Sequence, residues 1–176
     1  VFTPYADTVG AGVYSGSVEL DQEGRPRYGS PQYQDHCQGA GPIYDGRGYA
    51  PISRMIGAGD IHALDQYLSE YPNMSRAVLT GGATPLHTAG MSTAGQRTVE
   101  TLLRHGARPT IDAHDTCGGY TPLQRMASNG LTEGAAALLK ARASVDVRNG
   151  YGQTALQVAE ESRASAVVSL LRSPSA

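Results

Sequence analysis

The segment of residues 112–117 holds the densest group of side chains that are able to bind a metal ion. Its candidate ligands are Asp112, His114, Asp115 and Cys117. A structural zinc site needs four ligands at close spacing, and the best set adds His36 and Cys37, which would have to fold back onto the segment. We therefore interpret the segment as a polar loop, and we expect no metal ion and no cofactor.

Serines and histidines are the other candidates for chemistry, because a histidine beside a hydroxyl group can activate it as a nucleophile. The serines considered are Ser53, Ser92 and Ser128, and none of them lies in a nucleophile-elbow motif. His87 lies within a repeated motif, and His105 precedes Gly106 at a predicted helix end, where the helix dipole favours a cation. We expect structural roles for both histidines, no catalytic residues and no enzymatic activity.

Composition excludes several classes of partner. The formal net charge is −2, and the 14 basic residues are arginines except for Lys140. No concentrated positive face is apparent, so nucleic-acid binding is not expected. No apolar run reaches the ~18 residues of a membrane-spanning helix. Cys37 and Cys117 are far apart in the sequence, and we expect free thiols.

Residues 1–45 differ in composition from the rest of the chain. They are rich in glycine, proline and tyrosine and show no helical period, which predicts an extended, mostly irregular N-terminal arm. Tyrosines make rigid, amphipathic contacts, so we expect the arm to bind either its own repeats or another chain. The tyrosines expected to make these contacts are Tyr5, Tyr14, Tyr28 and Tyr33.

A short motif recurs in the second part of the chain. Thr84-Pro85-Leu86-His87 is repeated as Thr121-Pro122-Leu123-Gln124 and again as Thr154-Ala155-Leu156-Gln157. The interval between successive copies of the motif falls within the range of roughly 20–50 residues that is typical of stacked structural repeats. Threonine caps a helix N-terminus, and proline is tolerated in the first turn. Each copy therefore predicts the start of a helix.

A second apolar segment follows each copy of the motif. Its leucine pairs are Leu102-Leu103, Leu138-Leu139 and Leu170-Leu171. They recur with neighbouring apolar residues at helical spacing, and each predicted helix pair is too small to bury its own apolar face. Neighbouring pairs must therefore stack.

With these motifs in place, the sequence resembles the ankyrin-repeat family. The resemblance rests on Gly82, the Thr84–His87 motif, Leu102-Leu103 and Gly106-Ala107, with matching positions in the next two copies. It implies an all-α solenoid of stacked helix-turn-helix units over residues 46–176. The implied repeats lie near 46–79, 80–116, 117–149 and 150–172, and the first is degenerate. In this family the motif histidine is structural, which assigns that role to His87.

Departures from the family pattern point to two regions. Gln124 and Gln157 replace the motif histidine, and Arg142 replaces a glycine. The span of residues 108–119 is longer than the period requires, which predicts an enlarged loop into the third repeat. Insertions of this kind fall in loops and often on the binding face.

The resemblance implies a concave face of first-helix side chains and loop tips that binds other proteins. The expected residues of this face include Arg54, Met91, Arg125, Asn129, Glu161 and Ser162, and those of the loop tips include Asp115, Arg148 and Tyr151. Tyrosine and arginine are enriched in binding hot spots, so Tyr151 and Arg125 are the expected anchors. The predicted function is a non-catalytic protein–protein interaction module.

Two cellular settings remain open for such a module. The chain begins with Val1 and carries a tyrosine-rich arm, which favours a processed accessory or linker subunit of a larger complex. This interpretation fits a protein of an organelle, either a plastid or a mitochondrion, that lies peripheral to a membrane complex. The alternative is a soluble cytosolic adaptor or regulator.

Overall fold

The computed structural model describes residues 49–79, 82–115 and 117–173, and these residues form helices and turns without a strand. The all-α prediction is confirmed for this part of the chain. The predictions for the arm, including Tyr5, Tyr14, Tyr28 and Tyr33, lie outside the described residues. Among the residues that are described, no helix has the length and apolar character needed to cross a membrane.

Four pairs of α-helices follow one another along the described chain. They are α1 (Tyr49–Ala58), α2 (Ile61–Glu70), α3 (Pro85–Ala89), α4 (Val99–Arg104), α5 (Pro122–Ser128), α6 (Thr132–Lys140), α7 (Ala155–Glu161) and α8 (Ser165–Arg172). Short 3-10 helices cover Pro72–Arg76, Gly95–Thr98 and Arg108–Thr110. The segment Gly95–Thr98 leads directly into α4, so the second pair is joined by a tighter turn of helix.

The recurring threonines begin the first helices of the last three pairs. Thr121 accepts a hydrogen bond from the backbone N–H of Gln124, whose side-chain Oε1 accepts from the N–H of Thr121 in return. Thr154 and Gln157 repeat this reciprocal pair at α7. These capping boxes satisfy amides that the helix leaves unpaired, and they fix where each helix starts.

The helices are arranged in two rows. α1, α3, α5 and α7 contact one another in succession, and so do α2, α4, α6 and α8. Each first helix also contacts the second helix of its own pair. In the second row, Asp65 of α2 binds Arg104 of α4 and the Nε2 of His105 at 2.9 Å, which joins neighbouring pairs. His105 and then Arg104 lower the pKa of Asp65.

The core lies between the two rows and runs through all four pairs. Its fully buried side chains include Ile52, Ile56, Leu64, Leu86, Leu102, Leu123, Met126 and Leu138. Gly134 of α6 permits a close approach to Met126, since a Cβ at position 134 would lie 2.5 Å from the Met126 sulfur. A continuous core of this kind couples each pair to its neighbours.

Candidate functional site

Two loops, residues 112–115 and 117–120 before α5 and residues 146–153 before α7, are joined by hydrogen bonds in the part of the chain that the structure describes. The backbone N–H of Gly150 donates to the carbonyl of Gly118 at 2.8 Å. From α5, the Gln124 Nε2 donates to the carbonyls of Val147 at 2.8 Å and Gln153 at 3.0 Å. The two loops are therefore tied to each other and to the helix between them.

Asp115 organises the first of these loops. Its Oδ1 accepts from the N–H of Tyr120 at 3.0 Å, and its Oδ2 accepts from the Arg125 guanidinium, whose Nε lies at 2.8 Å. The Asp115 side chain is 1% exposed. The expectation that Asp115 is a surface binding residue does not hold, because its carboxylate is buried and paired within the loop.

Arg125 also supports the loop from inside. Its guanidinium donates to the carbonyl of Cys117 at 2.8 Å and lies 4.4 Å from the centre of the Tyr120 ring. Such a cation–π contact holds the ring against the charge. The Arg125 side chain is 19% exposed, so this predicted anchor is mainly committed to Asp115 and Tyr120.

Tyr151 lies at the tip of the second loop. The Asn149 Oδ1 accepts hydrogen bonds from the N–H groups of Tyr151 at 3.0 Å and Gln153 at 2.9 Å, which closes an Asx turn. The rings of Tyr151 and Tyr120 have centroids 6.2 Å apart at an interplanar angle of 60°. Tyr151 is nevertheless 71% exposed, so most of its ring is available to a partner.

A groove of about 410 Å³ opens beside this ring pair, between α5 and α7. We name it the tyrosine groove, and its lining residues are Tyr120, Ser128, Tyr151, Gln153, Val158, Glu161 and Ser162. The structure thus brings Tyr151 together with Glu161 and Ser162, as the predicted binding face requires. Sequence reasoning missed Tyr120, although its position directly before the motif threonine placed it beside the enlarged loop.

Glu161 provides the charge of the tyrosine groove. Its Oε2 accepts a hydrogen bond from the Gln153 Nε2, and the residue is exposed. Within the described residues the Glu161 carboxylate has no ion-pair partner, whereas the preceding Glu160 pairs with Arg172 at 2.6 Å. The groove therefore presents a positioned carboxylate whose charge is not neutralised by those residues.

The other predicted face residues lie elsewhere along the first row. The Asn129 Nδ2 donates to the carbonyl of Gly90 at 2.8 Å, and the neighbouring Met91 is 53% exposed. Arg54 is exposed on α1, and Arg148 is exposed with its guanidinium bound to the carbonyl of Gly152. Met91 and Asn129 thus lie close together, while Arg54 is two helices away from α5 along the row.

The candidate metal ligands are used in other ways. The Asp112 Oδ1 accepts from the N–H of Ser144 at 2.9 Å, and the His114 Nδ1 donates to the carbonyl of Gly119 at 2.7 Å. Cys117 is disulfide-bonded, so the prediction of a free thiol is wrong for this residue. Among the residues that the structure covers, no group of three or more metal-binding side chains is found.

His87 occupies a structural position, as predicted. Its Nδ1 accepts from the N–H of Thr84 at 3.0 Å, and its Nε2 donates to the carbonyl of Tyr120 at 2.9 Å. Burial lowers the pKa of His87 to about 4, so the imidazole is neutral at pH 7. His87 therefore links the cap of α3 to the residue that forms the wall of the tyrosine groove.

No protein-family model matches this chain, and comparison with curated protein sequences also gives no match.

Proposed function

We propose that this protein is a non-catalytic protein–protein interaction module that docks a partner in the tyrosine groove. The observation that carries the proposal is Tyr151, which is 71% exposed although its backbone is fixed and its ring contacts Tyr120. A large aromatic side chain that is held in place and left open to solvent loses little conformational entropy when a partner covers it.

The close packing of the two loops supports the same proposal. A Cβ added to Gly118 would lie 2.8 Å from the Tyr120 ring and 3.0 Å from the Tyr151 ring, and one added to Gly150 would lie 2.8 Å from the carbonyl of Gly118. Both positions are therefore suited to glycine, which lets the loops approach and brings the rings together. A site with this close packing is organised before a partner arrives.

We further propose that the helix pairs form an ankyrin-type solenoid. Three features support this assignment: the recurring Thr-Pro-Leu motif, the capping boxes, and the bonds that residues at the His87 position make to the following pair. Arrays of this class bind proteins through exposed first-helix and loop-tip side chains. The tyrosine groove lies between two first helices and beside two loop tips.

We propose that the module is an accessory or linker subunit of a larger complex. The proposed compartment is an organelle, either a plastid or a mitochondrion. The tyrosine-rich residues 1–45 support this setting, because an aromatic arm gives a second surface for neighbouring subunits. A soluble cytosolic adaptor is the alternative. For the complex subunit the bound partner should sediment with a membrane complex, and for the adaptor it should not.

Site-specific photo-crosslinking tests the proposed function. p-Benzoylphenylalanine replaces Tyr151 in one variant and the exposed Tyr71, which follows α2 in the other row, in a control variant. We expect a discrete crosslinked species from position 151 in native extracts and none of the same size from position 71. Fractionation of that species distinguishes the complex subunit from the adaptor. Equal crosslinking from both positions, or none from 151, would contradict docking in the groove.

A further inference from the structure

The chemical character of the tyrosine groove points to one class of partner side chain. Of its lining residues only Glu161 carries a formal charge at pH 7, and the remaining ones are neutral polar, aromatic or aliphatic. The nearby cation Arg125 is neutralised by Asp115. The exposed arginines Arg148 and Arg163 are not among the lining residues. The lining is therefore anionic and aromatic.

The geometry of the groove suits a planar cation. Tyr120 already carries the guanidinium of Arg125, at 4.4 Å from its ring centre, while the Tyr151 ring is largely exposed. Gln153 binds the Glu161 Oε2, which fixes the carboxylate and leaves Oε1 to accept from a ligand. A guanidinium can stack on an aromatic face and donate to a carboxylate at the same time.

We propose that the tyrosine groove binds an arginine side chain presented by a basic segment of the partner protein. This inference rests on the proposed docking function and adds its chemistry. The guanidinium stacks on Tyr151 and donates to the Glu161 carboxylate. The volume of about 410 Å³ lies in the lower part of the range of roughly 300–1,000 Å³ that ligand pockets occupy, which suits one side chain and the adjoining backbone.

Titration of the isotope-labelled full chain with small probes, followed by NMR, tests this inference. The probes are N-acetyl-arginine amide, the uncharged isostere N-acetyl-citrulline amide, and N-acetyl-glutamate amide. We expect saturable shifts of the Gly118, Tyr151 and Gly152 amides with the arginine probe, and at least fivefold weaker binding of the citrulline probe. Added salt weakens the arginine binding, since the contact includes an exposed charge.

Two matched variants locate the charge. Glu161→Gln removes the groove carboxylate, and we expect it to weaken binding of the arginine probe about fivefold to tenfold. Glu160→Gln makes the same change one residue earlier, where the side chain pairs with Arg172 outside the groove lining, and we expect no change in binding. Equal losses in both variants, equal binding of citrulline, or preferred binding of the glutamate probe would overturn the inference.

The probe experiment and the crosslinking experiment test the arginine chemistry and the docking of a protein separately. Crosslinking from position 151 without arginine-dependent shifts would retain docking in the groove and overturn the arginine chemistry. Arginine-dependent shifts without a crosslinked protein would support the cation site and overturn protein docking as its use.

Discussion

At the residue scale, the third helical position of the first two recurring motifs performs two tasks with two residue types. His87 binds the backbone of Thr84 on one side and the carbonyl of Tyr120 on the other. Gln124 does the same with Thr121 on one side and the carbonyls of Val147 and Gln153 on the other. A neutral imidazole offers one acceptor and one donor, and a side-chain amide offers an acceptor oxygen and two N–H donors. Only the imidazole can titrate.

His87→Gln therefore tests the imidazole by a substitution that the chain itself uses. Because the folded protein holds the pKa of His87 at about 4 and the unfolded chain has the ordinary value of about 6.5, the unfolded state binds more protons between these values. His87 thus lowers stability as the pH falls from about 6.5 towards 4, by up to about 3 kcal/mol. Urea unfolding at pH 7 and pH 5 measures this loss in both proteins.

We expect the variant to lose much less stability than the wild type between pH 7 and pH 5. At pH 7 the two proteins should differ by no more than about 1 kcal/mol, because glutamine preserves the hydrogen bonds. The other four histidines, His36, His62, His105 and His114, are present in both proteins and cancel from the comparison. An identical pH dependence would show that His87 is not held neutral by the fold.

At the element scale, sequence patterns predicted the helices better than the loops. The starts of α5 and α7 follow from local chemistry, since Thr121 and Thr154 each accept a hydrogen bond from the backbone N–H three residues later. At α3 the His87 Nδ1 accepts from the N–H of Thr84. The enlarged loop was located by its length, but its internal bonding was not predicted. Asp115 and Arg125 are both polar residue types that usually lie at the surface, and nothing in their spacing indicates that they form a largely buried pair.

The residues of the tyrosine groove were predictable only in part, because some of them are placed by the repeat pattern and others by tertiary contacts. Tyr151, Glu161 and Ser162 follow from placing a repeat on the sequence, because loop tips and first-helix ends are surface positions. Tyr120 lines the groove, and the Arg125 guanidinium lies over its ring, which is a tertiary contact. The local pattern around Tyr120 carries no signal for that contact.

Asp115→Asn tests whether the largely buried ion pair orders the loop before α5. The amide retains an acceptor for the N–H of Tyr120 but leaves the Arg125 guanidinium, 19% exposed, without its counter-charge. We expect a loss of about 2 kcal/mol in the free energy of unfolding, below the range for a fully buried pair because Arg125 retains some solvent. We also expect a weaker near-ultraviolet circular dichroism signal from Tyr120 and Tyr151.

Asp146→Asn is the matched control for this change. Asp146 lies on the neighbouring loop and is exposed, so the same substitution should alter stability by less than about 0.5 kcal/mol. Urea unfolding compares the two variants under identical conditions. If both cost the same, the Asp115–Arg125 pair contributes nothing beyond a surface ion pair.

At the scale of the whole molecule, the described chain stabilises its helix pairs through their neighbours. The third pair has a neighbour on each side, because α5 contacts α3 and α7 while α6 contacts α4 and α8. The last pair contacts the third pair, and its Leu170 and Leu171 are only partly buried. Stability in such an array is a sum of pair and interface terms. The contribution of a leucine should therefore depend on its place in the array.

Leu123→Ala and Leu171→Ala compare two positions in this array. Leu123 in α5 is fully buried, and its truncation should cost about 3 kcal/mol through lost contacts and a residual cavity. Leu171 in α8 is partly exposed, and its truncation should cost about 1 kcal/mol because less apolar area leaves water on folding.

Urea unfolding measures the loss of stability in both variants, and amide hydrogen exchange shows which helices each substitution destabilises. We expect Leu171→Ala to speed exchange in α7 and α8 alone, whereas Leu123→Ala speeds it from α3 to α8. Equal costs at the two positions would show that the face of α8 is covered as fully as that of α5.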